Sequence, residues 1–215
     1  TMEEDGIAQA IAIKGDRILY VGSTEEAMKL AQPHTQLVDL EGRVAAPGLI
    51  ECHTHSAASG ASLFLVLDLT QAYSLEEVVA LIREKANSTP KGQWILCRGY
   101  DETKFSEPEA ALTAEALDRA TTEHPVFAQR TCGHIAVVNS LAARLSGFSD
   151  ASQDPPTGGH FYKDENGHFN GMISESIMSN MVAKPSFTAQ DIQRGILEGV
   201  EPLYFQHGIT TSSNM

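Results

Sequence analysis

The chain has 215 residues, with 15 Lys+Arg against 28 Asp+Glu, a formal charge of −13 and a pI near 4.9. Hydrophobic residues make up 42% and charged residues 20%, the balance of a folded globular chain of one large or two small domains, not of a disordered one. The acidic excess, with no lysine or arginine cluster, argues against a nucleic-acid partner, since phosphate binding needs clustered basic charge.

No apolar run approaches the roughly 18 residues that a membrane span needs. The longest, Leu63 to Leu67, ends at Asp68. No signal peptide is visible at Thr1. Cys52, Cys97 and Cys132 are odd in number and far apart, so they fit neither a disulfide framework nor a CxxC metal site. A reducing, cytoplasmic compartment is expected, and the sequon Asn87-Ser88-Thr89 is expected to stay unmodified.

In chain order, Ile11 to Ile13 and Arg17 to Val21 flank Lys14-Gly15-Asp16 and predict a hairpin. Ser23 to Ala31 predicts a short helix, and Leu37 to Leu40 a short strand. Val44 to Ala46 leads into Pro47-Gly48, where a domain boundary is expected. Leu49 to His55 reads as a strand opening into a Ser-Ala-Ala-Ser-Gly loop. Ser74-Leu75-Glu76-Glu77 starts a helix running to about Asn87. Trp94 to Cys97 and Pro125 to Gln129 are strand candidates. Thr113 to Ala120 and Ser140 to Leu145 are helix candidates, the latter stopped by Gly147. Residues 149 to 171, rich in Gly, Pro and Asp, predict a long loop or hairpin. Thr188 caps a last helix to about Gln206, which Pro202 should kink or divide and Gly208 should stop. Ile209 to Thr211 begins a strand.

The informative segment is Glu51-Cys52-His53-Thr54-His55. Alternate side chains of a strand share a face, so His53 and His55 point the same way and two neutral imidazoles can converge on one divalent ion. Glu51 lies further down that face. A bare His-x-His is common by chance, and spacing alone does not reach a function.

The stretch Val44-Ala45-Ala46-Pro47-Gly48-Leu49-Ile50-Glu51-Cys52-His53-Thr54-His55 resembles the first barrel strand of the amidohydrolase superfamily. Gly99 to Glu102, Arg130 to His134 with Asn139-Ser140, and Gly158-Gly159 followed by Gly171 to Glu175 resemble the branch containing N-substituted formamide deformylase. The resemblance implies an α/β fold: a metal-dependent hydrolase (β/α)8 barrel, incomplete here, with a small β-sandwich domain and a large α/β insert after the first barrel strand. Residues 1–46 would belong to the sandwich, 47–59 to the first barrel strand, 60–185 to the insert and 186–215 to a barrel helix and the start of the second strand at Gly208-Ile209-Thr210-Thr211. A complete barrel takes about 250 residues, so the resemblance also implies the amino-terminal portion of a longer enzyme, with the remaining metal histidines and a proton-shuttling aspartate beyond residue 215. Two departures stand out. Glu51 replaces the family aspartate, and Ser213-Asn214 stands where relatives often have His-Asp.

On this resemblance His53 and His55 are metal ligands, the metal is divalent and expected to be zinc, and Glu51 lies behind the ligands. His134 and Glu175 are the candidate catalytic residues. His134 either contacts substrate or is a hydrogen-bonded structural histidine. Glu175 either reaches the metal site, where other branches use a carboxylated lysine, or is an ion-paired glutamate at a helix end. Trp94, Tyr100 and Phe127 are expected in the insert core, and His34, His124, His160, His168 and His207 at the surface or in turns. Asp101-Glu102 through Glu107-Pro108-Glu109 reads as a solvated acidic loop. The implied reaction is hydrolysis of a carbon–nitrogen bond in a small non-peptide amide, formamide-like, by activated water. The rivals are a non-catalytic remnant serving binding or oligomerisation, and a ring deaminase. Neither a nucleic-acid nor a membrane partner is expected, and a homodimer is left open.

Overall fold

A computed structural model describes residues 6–107, 110–149, 154–155 and 158–214. The chain divides between Ile50 and Glu51 into two compact units, a few residues after Pro47.

In the first unit, β1 (Ala10–Lys14) pairs antiparallel with β2 (Arg17–Gly22), with Ile11 opposite Val21. Gly15, at φ 59°, supplies the left-handed turn residue that joins them. Helix α1 (Thr24–Met28) comes next, its Ser23 side chain accepting the Glu26 N–H. It is shorter than the predicted Ser23 to Ala31. Leu37 to Leu40 forms no strand. β propensity there meets no partner edge, and Leu37 and Val38 stay exposed.

β3 (Leu49–Thr54) carries the histidine motif. It opens not into a loop but into helix α2 (Ser56–Leu65), then the two-residue β4 (Leu67–Asp68). The expectation failed because Ser-Ala-Ala-Ser-Gly looks like loop composition, whereas its small residues serve helix packing. Helix α3 (Leu75–Ser88) is capped by Ser74, whose hydroxyl accepts the Glu77 N–H at 3.1 Å. β5 (Ile95–Tyr100), α4 (Ala114–Ala120), β6 (Val126–Arg130), β7 (Ile135–Val138), α5 (Ser140–Leu145), β8 (Phe161–Lys163), β9 (Phe169–Ser174) and α6 (Ser176–Asn180) follow. The predicted 149–171 loop or hairpin is a hairpin at β8–β9. Residues 150–153 and 156–157 of that prediction, and Pro108-Glu109 of the acidic loop, lie outside the described residues.

The six-stranded sheet runs in the order β4-β5-β6-β7-β9-β8. β4, β5 and β6 are parallel, while β7, β9 and β8 continue antiparallel. Alternating side chains feed two cores, one on each face. Ile95, Cys97, Val126, Ala128 and Val137 pack with Val78, Val79, Ile82 and Leu117 of α3 and α4. Phe127, Ala136, Val138 and Ile173 pack on the other face with Ala142, Ala143, Ile177 and Met178 of α5 and α6. A sheet covered on both faces needs this two-sided pattern. Tyr100 and Phe127 are buried as expected, and Trp94 packs partly buried on the second core. His124, expected at the surface or in a turn, lies in the bend before β6 and is buried there, with Nδ1 3.1 Å from the Gln93 carbonyl.

Asn139 closes the sheet at the β7–α5 junction. Its Oδ1 accepts the N–H groups of Val126 and Ala142, both at 3.0 Å, and its Nδ2 donates to the carbonyls of Thr121 and His124. A fully buried amide with all these bonds made is stabilising only because the set is complete.

Helix α7 (Ala189–Leu203) has a capping box, Thr188 Oγ1 accepting from Asp191 N while Asp191 accepts from Thr188 N. Pro202 falls in its last turn without dividing it, and the helix runs one residue past it. A 3₁₀ turn at Phe205–His207 and Gly208 at φ 76° lead into β10 (Ile209–Asn214), the neighbour of β3 in a two-stranded sheet. Among the described residues no helix is long and apolar enough to cross a membrane.

Replacing Asn139 by alanine orphans buried N–H and C=O groups and should lower stability by about 3 kcal/mol, read as a shifted midpoint in urea unfolding.

Candidate metal centre and insert cleft

His53 sits near the end of β3. His55, one residue past it, is the N-cap residue of α2. Their rings are adjacent and solvent-open, with centroids 6.1 Å apart and planes at 88°. An imidazole bound through a ring nitrogen places its centroid about 3.2 Å from the ion, so two ligand rings on one ion lie within about 6.4 Å of each other. The observed pair falls inside that limit. Among the described residues, no group of three or more His, Cys, Asp or Glu side chains is arranged to hold a metal. Zinc normally takes three or four donors, and this pair offers two.

The surrounding contacts fix this strand end. Glu51 Oε1 accepts the N–H of His53 at 3.0 Å, so the carboxylate braces the backbone of its own strand. Asn214, at the end of β10, accepts from Ser56 Oγ at 3.0 Å and from the Ala57 N–H at 3.4 Å, tying β10 to the first turn of α2 beside His55. The Thr54 hydroxyl bonds the Tyr204 hydroxyl. Sequence reasoning assigned Asn214 no role. Its position after a Gly-Ile-Thr-Thr strand was the available signal.

Below these contacts α2 and α7 meet backbone to backbone. A Cβ on Gly60 would stand 2.2 Å from the Gly195 carbonyl oxygen, and a Cβ on Gly195 would stand 2.3 Å from the Ala61 nitrogen. Only hydrogen fits there. The spacing of Gly195 and Gly199, four apart on one helix face, is legible in sequence once α2 is known to be a helix.

His134 and Glu175 are brought together, but as a separate pair. His134 Nδ1 lies 3.3 Å from Oε1 and 3.4 Å from Oε2 of Glu175, and the Glu175 N–H donates to the His134 carbonyl at 3.1 Å. Glu175 is the N-cap residue of α6 with φ 49° and ψ −124°, a region that suits glycine. The same loop carries Cys132. Burial raises its thiol pKa, but hydrogen bonds from the His134 and Ile135 N–H groups and from Arg130 outweigh that and hold it below the ordinary cysteine value. Arg130 in turn grips Glu102, Nε lying 2.8 and 2.9 Å from its two oxygens.

A cleft of about 460 Å³ opens beside this pair, lined by Phe127, Gln129, Glu175, Met178, Ser179 and Lys184 among others. Lys184 was not anticipated. Its Nζ lies 5.0 Å from the centre of the Phe127 ring and donates to the Met178 carbonyl at 3.0 Å.

Residues 36–214 match the amidohydrolase family. The chain belongs to that family. It is 32% identical over 173 residues to the putative amidohydrolase YtcJ of Bacillus subtilis, a match covering 80% of this chain and 32% of that protein. It is 29% identical over 170 residues to the N-substituted formamide deformylase of Arthrobacter pascens, covering 79% of this chain and 31% of that protein. In three dimensions it resembles an uncharacterized metal-dependent hydrolase from Pyrococcus horikoshii with a TM-score of 0.61 and 25% identity, over 95% of this chain and 38% of that one. The chain therefore spans about a third of the length of these amidohydrolase relatives.

Two stability outcomes are expected. Gly60→Ala must push α2 off α7, at a cost of about 2 kcal/mol in thermal or urea unfolding. Glu175→Gly should instead stabilise by about 1 kcal/mol, because the strained φ is released while an exposed contact to His134 is lost.

Proposed function

We propose that this chain supplies the metal-binding first strand of a hydrolase that cleaves the carbon–nitrogen bond of a small non-peptide amide, formamide-like, with His53 and His55 as ligands of a zinc ion. The observation that carries the reading is the pair of adjacent, solvent-open imidazoles within the separation that one ion allows. Membership in the amidohydrolase family and the likeness to a metal-dependent hydrolase support it, and the name of the formamide deformylase relative suggests the bond. In the whole protein the strand would belong to a (β/α)8 barrel with a β-sandwich beside it, and further ligands would complete the coordination.

A divalent ion in such a centre activates water and polarises the carbonyl to be attacked. The chain's own residues hold the geometry. Glu51 and β10 fix the end of β3, and Asn214 holds the first turn of α2 against it, so the two imidazoles are presented without having to reorganise. His134 and Glu175, hydrogen-bonded to one another, are proposed as the pair that exchanges a proton with the substrate nitrogen from the insert side.

Titration of the purified chain with zinc, or with cobalt as a visible probe, should show saturable binding that His53→Ala or His55→Ala weakens by about tenfold or more. Absence of metal binding after supplementation would sink the reading in favour of a remnant. With an N-substituted formamide as substrate, release of formate is expected. Release of ammonia from a ring amine instead would reassign the protein to the deaminases.

A further inference from the structure

The insert cleft carries two opposite charges that do not use each other. Lys184 is half-buried, and its ammonium is met by a carbonyl and an aromatic face, not by a carboxylate. Burial alone shifts it, lowering its pKa from the ordinary lysine value, and among the described residues no carboxylate lies within ion-pair distance. A cation partly withdrawn from water without an anion is costly to keep. Glu175 lines the same cleft, and among the described residues its carboxylate is met by His134 alone. Its backbone is held in a glycine-like conformation. Strain of this kind persists where the surrounding structure imposes it, often at ligand sites. Phe127 and Gln129, alternate residues of β6, share the wall between the two charges.

We propose that this cleft binds a small amphoteric ligand, an amino acid or a short amine-acid, whose carboxylate pairs with Lys184 and whose ammonium or N–H group donates to Glu175. Phe127 gives the intervening carbons an apolar surface and faces the Lys184 cation as well. The cleft volume is within the range of small-molecule sites. A ligand bridging the two charges supplies Lys184 with the anion that the protein withholds and Glu175 with a donor beside His134. A monofunctional acid would leave Glu175 facing another anion. Neither His53 nor His55 lines the cleft, and Glu175 is the residue that it shares with the proposed proton exchange.

Calorimetric titration of the full chain with glycine, β-alanine and γ-aminobutyrate tests it, the three probes differing in the separation of their charges. At least one should bind saturably, and its carboxamide should bind at least about tenfold more weakly. Lys184→Gln and Glu175→Gln should each weaken the bound probe by a similar factor, while His53→Ala, which weakens metal binding, leaves it unchanged. The proposal is overturned by any of four results: no saturable binding of the three probes, equal binding of the carboxamide to the wild-type chain, binding unaffected by Glu175→Gln, or binding lost in His53→Ala. The carboxamide comparison uses the wild-type chain, so it holds even where a variant misfolds. Failure of the zinc titration leaves these outcomes intact, and the reverse is also true.

Discussion

The close approach of α2 to α7 is the contact on which the histidine centre depends. Gly60 and Gly195 let two backbones touch where any side chain would intervene. α2 grows directly out of the histidine strand, and α7 leads through one 3₁₀ turn into β10. Bringing the helices together therefore brings β3 and β10 into one sheet. Once they are neighbours, Asn214 can reach the first turn of α2, and the Tyr204 hydroxyl can reach Thr54. The strand end that carries the two imidazoles is held by this stack of backbone contacts.

The six-stranded sheet obeys a different constraint. Its sheet is buried on both faces, so each strand must be apolar in both directions, and the polarity it needs is confined to strand ends. Asn139 satisfies the backbone where β6 turns from a parallel neighbour to an antiparallel one. Arg130, Glu102 and the His134–Glu175 pair cluster at the loops beyond the sheet, where charge can remain partly hydrated. The cleft sits among these loops, on the side of Phe127.

Much of this was legible locally. Gly15 between two β-rich runs announces a hairpin, Ser74 and Thr188 announce their helices through cap chemistry, and two histidines one residue apart on an extended segment announce a shared face. The failures were non-local. Leu37 to Leu40 has strand composition, but no edge is offered to it. α2 is hidden because its alanines, serines and glycine make sense only against Gly195 and Gly199, more than a hundred residues away. His124 looked like a turn residue, yet its ring is buried against the Gln93 carbonyl. Lys184 carried no motif at all. Its character comes from Phe127 and Met178, which only the folded chain places around it.

The end of α7 sets where β10 begins. Pro202 lacks an N–H and leaves out one ladder bond, but the ladder resumes past it: Tyr204, at φ −127°, still puts its N–H on the Val200 carbonyl. The Ile209 N–H then takes the Tyr204 carbonyl, and β10 departs from there. Each residue added to the helix would carry that departure point about 1.5 Å along the axis and about 100° around it. The residue at which α7 stops thus sets the phase at which β10 arrives beside β3.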